Sequence, residues 1–300
     1  MNSDQNTELL VWKPACWLRV SGPDAAEFLQ GQFTNDLRRL LPGEAVYGLW
    51  LSVKGKVIAD SHVLRGAAPD EFWVGSVNAP AAVVRERLES HIIADDVCVE
   101  DQTEAWAGLT VFGAERVTVE AAAGSAGPAG GGFVFAGRRS RDVHWEWIFP
   151  AAQATAARAA LGNAVELTPD EVERRRILAE IPAVPADIGP NDLPNEGGLD
   201  VDAISYTKGC YLGQEIMSRL KSMGQIRRRL VRVSGAGPRP PLPAPLHAGE
   251  RLVGELRSTA ASSDHGWIGL ALLTRTQVAA GATLGLAPGE PGVVQVEETP

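Results

Sequence analysis

The 300-residue chain reads as an α+β body over residues 1–225 followed by an all-β unit over 226–300. Three observations predict this. Strand-like and helix-like runs alternate through the first part, as in 46–53 and 57–64 against 81–93. Thr168-Pro169-Asp170-Glu171 is a helix start, with a threonine cap, proline at the first position and glutamate three residues after the cap. Beyond Ile226 no helical run recurs, and short β-like runs separated by turn residues point to a small barrel or sandwich.

The elements follow in order. Residues 17–20 suit a short strand, and Ser21 or Asp24 caps a helix that includes 25–30, with Pro23 near its start. Pro42-Gly43 marks a turn, and strands 46–53 and 57–64 join at Lys54-Gly55 as a hairpin. On the second of these strands Ile58, Asp60, His62 and Leu64 share one face, because successive side chains alternate. The carboxylate and imidazole read either as a site pair or as an exposed polar patch. Strand 72–77, helix 81–93 and strands 97–100 and 106–112 come next. Residues 114–123 suit a helix, weakened by Val117-Thr118-Val119. The Gly/Ala-rich stretch 124–132 reads as a flexible surface connection.

Strand 144–149 and an alanine-rich helix over 151–161 precede the helix that starts at Thr168. Arg174-Arg175-Arg176 on that helix is a solvated face or a contact for an anionic ligand tail. Residues 181–199 are rich in Pro, Gly and Asn, predict no regular element, and are long for a plain connection, which favours a functional wrapping segment. After 226–233 as a strand, 235–249 reads as a proline-rich loop, with short strands near 252–258, 267–273, 283–287 and 293–296.

A net charge of −9 argues against general nucleic-acid or membrane-surface binding. Cys16, Cys98 and Cys210 are far apart and form no CxxC pair, and the five histidines form no metal-ligating pair, so no metal site is expected. The first seven residues are polar and unlike a signal peptide, and no run approaches the ~20 apolar residues of a membrane span. A reducing cytoplasm is the expected home.

One octapeptide stands out: Lys208-Gly209-Cys210-Tyr211-Leu212-Gly213-Gln214-Glu215. Gly209 is expected to take a conformation closed to most side chains. Residues 214–221 suit a short helix with acidic and amide groups in its first turn and cations in its last. Cys210 would then sit just before a helix N-terminus with Lys208 nearby, two features that lower a thiol pKa. The competing reading is a small buried hydrophobe, the usual fate of a free cysteine.

The octapeptide, together with VSGPDAAEFLQGQFTND over 20–36 and KGKVIAD over 54–60, resembles the YgfZ-type folate-binding proteins, relatives of the aminomethyltransferase (T protein) of glycine cleavage. The resemblance implies two ferredoxin-like halves around a central folate channel, followed by a C-terminal β-barrel. The α+β order of residues 1–225 is compatible with such halves. In aminomethyltransferases the strand after the glycine turn carries adjacent acidic residues; here only Asp60 is acidic. That departure, with the thiol-bearing octapeptide, resembles the branch that supports assembly or repair of iron–sulfur clusters, including those of enzymes that modify tRNA. Two folate-contacting tryptophans of that family align with Ala15 and Val172 here, with Trp12 or Trp17 as substitutes for the first.

A tetrahydrofolate needs apolar or aromatic walls, hydrogen-bonding groups for the pterin edge, and cations for its glutamate tail. The candidates are Trp17, Trp50 and Tyr211 for walls, Asn35, Asp60, Gln214 and Glu215 for polar contacts, and Arg176, Arg219 or Lys208 for the tail. Cys210 is the candidate reactive thiol, Lys208 its electrostatic support, and Asp60 the carboxylate of an alternative transferase or demethylase chemistry. A third reading is a non-catalytic scaffold. The expected partners are a reduced folate and iron–sulfur client or assembly proteins, with no direct nucleic-acid or membrane contact.

Overall fold

The computed structural model describes residues 7–124, 132–224, 226–262 and 266–297. The first six residues, most of the Gly/Ala-rich stretch (125–131) and His265 lie outside the described residues.

The chain opens with β1 (Glu8–Trp12), a strand the sequence pattern did not single out. Then come β2 (Cys16–Ser21), α1 (Ala25–Gln32), β3 (Ala45–Leu51), β4 (Val57–Arg65), β5 (Glu71–Ser76), α2 (Ala81–Glu89) and β6 (Cys98–Asp101). These strands pair in the order β3-β4-β5-β2-β6, all antiparallel. With β3 as an added edge strand, this is a ferredoxin-like unit built from two interleaved βαβ halves. Its core lies between the sheet and the two helices: Phe28 and Leu29 of α1 and Val84 and Leu88 of α2 meet Val20, Ala59, Val63 and Val74.

A second unit repeats the pattern: β7 (Trp106–Phe112), α3 (Arg116–Ala122), β8 (Phe133–Ala136), β9 (His144–Pro150), α4 (Ala154–Ala160) and β10 (Val165–Glu166). Its sheet runs β10-β1-β7-β9-β8, with β1 inserted parallel to β10 and antiparallel to β7. All seven residues of β7 are buried. A strand covered on both faces loses the inside–outside alternation of a surface sheet. One face carries α3 and α4; the other meets the first unit through Trp17, Trp73, Trp106 and Phe133, whose ring centroids lie 4.9–6.1 Å apart.

α5 (Pro169–Leu178) starts with the expected capping box: Thr168 accepts from Glu171 N–H at 3.2 Å and Thr168 N–H donates to Glu171 at 2.7 Å. The following segment is irregular apart from a 3-10 turn, Pro194–Gly197. Ion pairs tie it to the rest: Asp187 with Arg176, Asp192 with Arg228 and Arg257, Glu196 with Arg228. α6 (Gln214–Met223) then leads into β11 (Arg228–Gly235), β12 (Ala244–Ala248), β13 (Arg251–Ala261), β14 (Trp267–Thr274), β15 (Thr283–Leu284) and β16 (Val294–Val296). Their order is β12-β13-β14-β11-β16-β15. His247 and Gly285 exchange two backbone hydrogen bonds, 2.9 and 2.8 Å, that join the two ends into a nearly closed barrel. The stretch read as a proline-rich loop therefore contains a strand. Pro245 is tolerated there because β12 ends the sheet order, where a missing N–H costs least. Among the described residues no helix is long and apolar enough to cross a membrane.

Candidate functional site

Beside the aromatic cluster the two sheets leave a cavity of about 520 Å³, closed on a third side by α5 and Ile181-Pro182. β4 contributes Asp60 and His62 from alternate positions of one face, as its period of two requires. Ile58, at the start of the strand, packs towards the α1–α2 core instead, and Leu64 joins the core between the sheets. Asp60 accepts hydrogen bonds from the hydroxyls of Tyr47 (3.0 Å) and Ser76 (2.8 Å). Burial holds its carboxyl above the usual carboxylate range, against the pull of those hydroxyls and of Arg138. His62 lies between the rings of Tyr47 and Phe135, with centroids 5.2 and 4.8 Å away. Burial first, then the charges of Arg138 and Arg139, lower it to about 3, so the imidazole is neutral.

The opposite wall carries two arginines, each paired with a carboxylate. Arg139 pairs with Glu146 at 2.8 Å, and Glu146 also accepts from Thr110 at 2.7 Å. Arg138 stacks over the Tyr47 ring at 3.8 Å and pairs with Asp202. A second hollow of about 330 Å³ shares Arg138, Ile181 and Pro182 with the cavity and adds Arg141 and Arg229. Those two arginines make no ion pair among the described residues. On the other side, a narrow cleft shares His62, Gly75 and Ser76 with the cavity and is lined by Trp12 and Trp17. Both indole N–H groups are buried without an acceptor among the described residues. Val172 lines the cavity itself.

The sequence-selected residues divide into two groups. Asp60 and Arg176 line the cavity, and Trp17 lines its side cleft. Arg176 is already committed: it pairs with Glu173 and with Asp187 (2.7 Å) and donates to Ser258 (2.9 Å). Its neighbour Arg175 pairs with Glu8 at 2.8 Å. Cys210, Lys208, Tyr211, Gln214, Glu215 and Asn35 are not among the residues that line the cavity.

The octapeptide instead forms a mount. Lys208 is buried, and its ammonium donates to the carbonyls of Gln30 (2.6 Å), Phe33 (2.6 Å) and Asn35 (3.0 Å). It caps the C-terminal end of α1, where carbonyls lack helical partners, rather than facing the thiol. Burial draws it down to about 8. Leu212 N–H donates to Gly31 at 3.2 Å, and Asn35 donates to the carbonyls of Tyr47 (2.9 Å) and Asp202 (3.1 Å). Tyr211 packs with Leu49, Leu51, Val57 and Met217. Gly213 has φ +88°, and a Cβ there would lie 2.9 Å from the Ser52 carbonyl. The conformational demand expected at Gly209 falls on Gly213 instead: Gly209 has open space around it, and its φ is not positive. The helix begins at Gln214, so three residues separate it from Cys210. Gln214 N–H bonds back to Tyr211, and Glu215 is exposed and pairs with Arg219. Cys210 is exposed, between Lys208, which bonds the end of α1, and Gly213, which presses on the β3–β4 turn. The three sequence blocks thus meet at one place, and that place presents the thiol.

The cavity residues that sequence reading passed over are Tyr47, Ser76, Arg138, Arg139 and Glu146. The Arg138-Arg139 pair before β9 carried a weak signal, two adjacent cations beside a strand. Tyr47 and Ser76 carried none, since only the pairing of β4 with β3 and β5 sets them around Asp60.

The family model of the GCVT N-terminal domain matches residues 16–124, and that of the CAF17 C-terminal beta-barrel domain matches 227–296. Over 276 residues the chain is 31% identical to the iron-sulfur cluster assembly factor IBA57, mitochondrial, of Homo sapiens, covering 85% of this chain and 74% of that protein. It is 29% identical over 266 residues to the tRNA-modifying protein YgfZ of Edwardsiella ictaluri, covering 82% and 73%. The glycine cleavage system aminomethyltransferase T from Bartonella henselae superposes with a TM-score of 0.78 at 19% identity, over 98% of this chain and 85% of that one, which shows a shared fold. With both domain matches in place and the human relative aligned over most of its length, the chain belongs to the family of IBA57 and YgfZ, built on the aminomethyltransferase fold.

Proposed function

We propose that the protein supports assembly or repair of iron–sulfur clusters in client enzymes, including ones that modify tRNA, through Cys210 and a bound reduced folate. The observation that carries this reading is the mount: three separate stretches of sequence converge to hold one exposed thiol. Such a thiol can hold iron or sulfur cargo passing to a partner. The names of the human and Edwardsiella relatives support the cluster and tRNA assignments.

The size and lining of the cavity support the folate part of this reading. Its volume lies within the ~300–1,000 Å³ of small-molecule sites. Asp60 and neutral His62 suit the hydrogen-bonding edge of a pterin. Arg138, with Arg141 and Arg229 beyond it, suits an anionic tail. A reduced folate, when bound, supplies a carrier for one-carbon units. The protein's share is to orient it, exclude water and hold Asp60 between two hydroxyls. The transferase reading keeps Asp60 as its essential group; the separation of Asp60 from Cys210 makes the two chemistries independently testable.

Anaerobic titration of the purified chain with tetrahydrofolate, read by tryptophan quenching, is expected to saturate. Asp60→Asn and Arg141→Ala should each weaken it by about tenfold, the equivalent of ~1.4 kcal/mol. Cys210→Ser should bind folate normally yet fail to restore a cluster enzyme in cells that lack the protein. No binding at saturating ligand would remove the folate from the reading. Full rescue by Cys210→Ser would remove the thiol and favour the scaffold.

A further inference from the structure

α2 carries an arginine that no carboxylate among the described residues neutralises. Arg87 is 6% exposed. It donates to the Leu51 carbonyl at 3.2 Å and to Gln32 at 3.0 Å, and meets His91 Nδ1 at 3.0 Å. The carbonyl and amide are neutral, and burial and Arg87 together push the histidine towards its neutral form. The remaining nitrogen, Nη2, is buried with no partner among the described residues. A guanidinium taken out of water without a counter-charge leaves a desolvation penalty that an arriving anion offsets.

Arg87 lines a groove of about 410 Å³ whose other walls include Val53, Ile58, Val83, His91 and Leu212. Val53 and Val83 are 69% and 38% exposed. Glu86 stands on the rim and forms no ion pair among the described residues. Leu212 belongs to the octapeptide, so the groove opens beside the loop that presents Cys210. A small free anion would use only the cation. Ser52, Ser90 and Glu86 complete the lining, and the aliphatic strip of Val53, Ile58, Val83 and Leu212 beside its one arginine is complementary to a peptide with one acid among apolar neighbours.

We propose that this groove docks a partner protein through an acidic side chain flanked by apolar residues, its carboxylate reaching Arg87 and its neighbours covering Val53, Val83 and Leu212. The inference rests on Cys210 as the cargo site, because the docked segment lies next to that thiol.

The test is photocrosslinking in cells, with p-benzoylphenylalanine at position 83 of the full chain. Sequencing of the crosslinked partner peptide is expected to place Asp or Glu within about three residues of the attachment point, the reach of roughly 10 Å. Adding Val53→Glu, at an exposed turn position that bears little on folding, should cut adduct yield by about tenfold. Arg87→Gln, where circular dichroism shows it folded, should do the same. No adduct, a partner peptide without an acid, or a yield indifferent to Val53→Glu overturns the proposal. Cys210→Ser separates it from the thiol reading. An adduct that persists while this variant restores client activity in full sinks the thiol and leaves the groove. An absent adduct with client activity lost in Cys210→Ser sinks the groove and leaves the thiol.

Discussion

Lys208→Met keeps the length of the side chain and removes its charge. In the native chain the ammonium meets three carbonyls at the end of α1, at 2.6, 2.6 and 3.0 Å. Hydrogen bonds to a charged group contribute ~1.5–3 kcal/mol each. Desolvation of the ammonium, seen in its fall to about 8, offsets part of that sum. The substitution also leaves the carbonyls without a donor, so the expected loss is about 3–5 kcal/mol. Urea denaturation followed by the fluorescence of buried Trp17 and Trp50 would measure it. Alkylation of Cys210 by iodoacetamide, in a Cys98→Ser background, should change by less than about threefold, because the charge points into α1 and not at the sulfur. The reasoning fails if stability stays within about 1 kcal/mol of the parent while alkylation slows tenfold or more. That pair of results would make the lysine a thiol activator.

Three further outcomes follow from the geometry. His62 titrates near 3 in the folded chain against an ordinary 6.5, so between those values the unfolded chain takes up a proton that the folded chain refuses. Stability from this group therefore falls as pH drops below 6.5, by about 1.4 kcal/mol per pH unit, and His62→Phe should flatten that acid limb in denaturation curves taken from pH 7 to 4. Asp187→Ala strands the buried Arg176 and frees Ser258, and should cost about 3 kcal/mol, read as a lower melting temperature; an unchanged melt would mean that Glu173 suffices alone. Gly213→Ala forces a side chain into the left-handed region and against the Ser52 carbonyl, and calorimetry should show a loss of about 1–3 kcal/mol.

The local rules were legible wherever an element is decided by its own residues. The capping box of α5 and the run of β7 were placed from sequence, and the period of two on β4 put Asp60 and His62 together. Elements decided by pairing were missed. β1 and β12 are short, and each exists because a neighbouring sheet offers it hydrogen bonds. Gly209 and Gly213 look alike in the octapeptide, yet only the second is pressed against the β3–β4 turn.

By itself the sequence determined the α+β body with its β tail and the prominence of the octapeptide, because propensity, caps and motif spacing are written along the chain. Only the tertiary structure decided what the prominent residues do. Whether a lysine faces a sulfur or a helix end, and whether a carboxylate opens on a cavity or on solvent, depends on which distant segments pack together. Here packing took Lys208 to α1, left Cys210 at the surface, and gave the cavity to Asp60, His62 and partners such as Tyr47 and Ser76 that no local pattern marks.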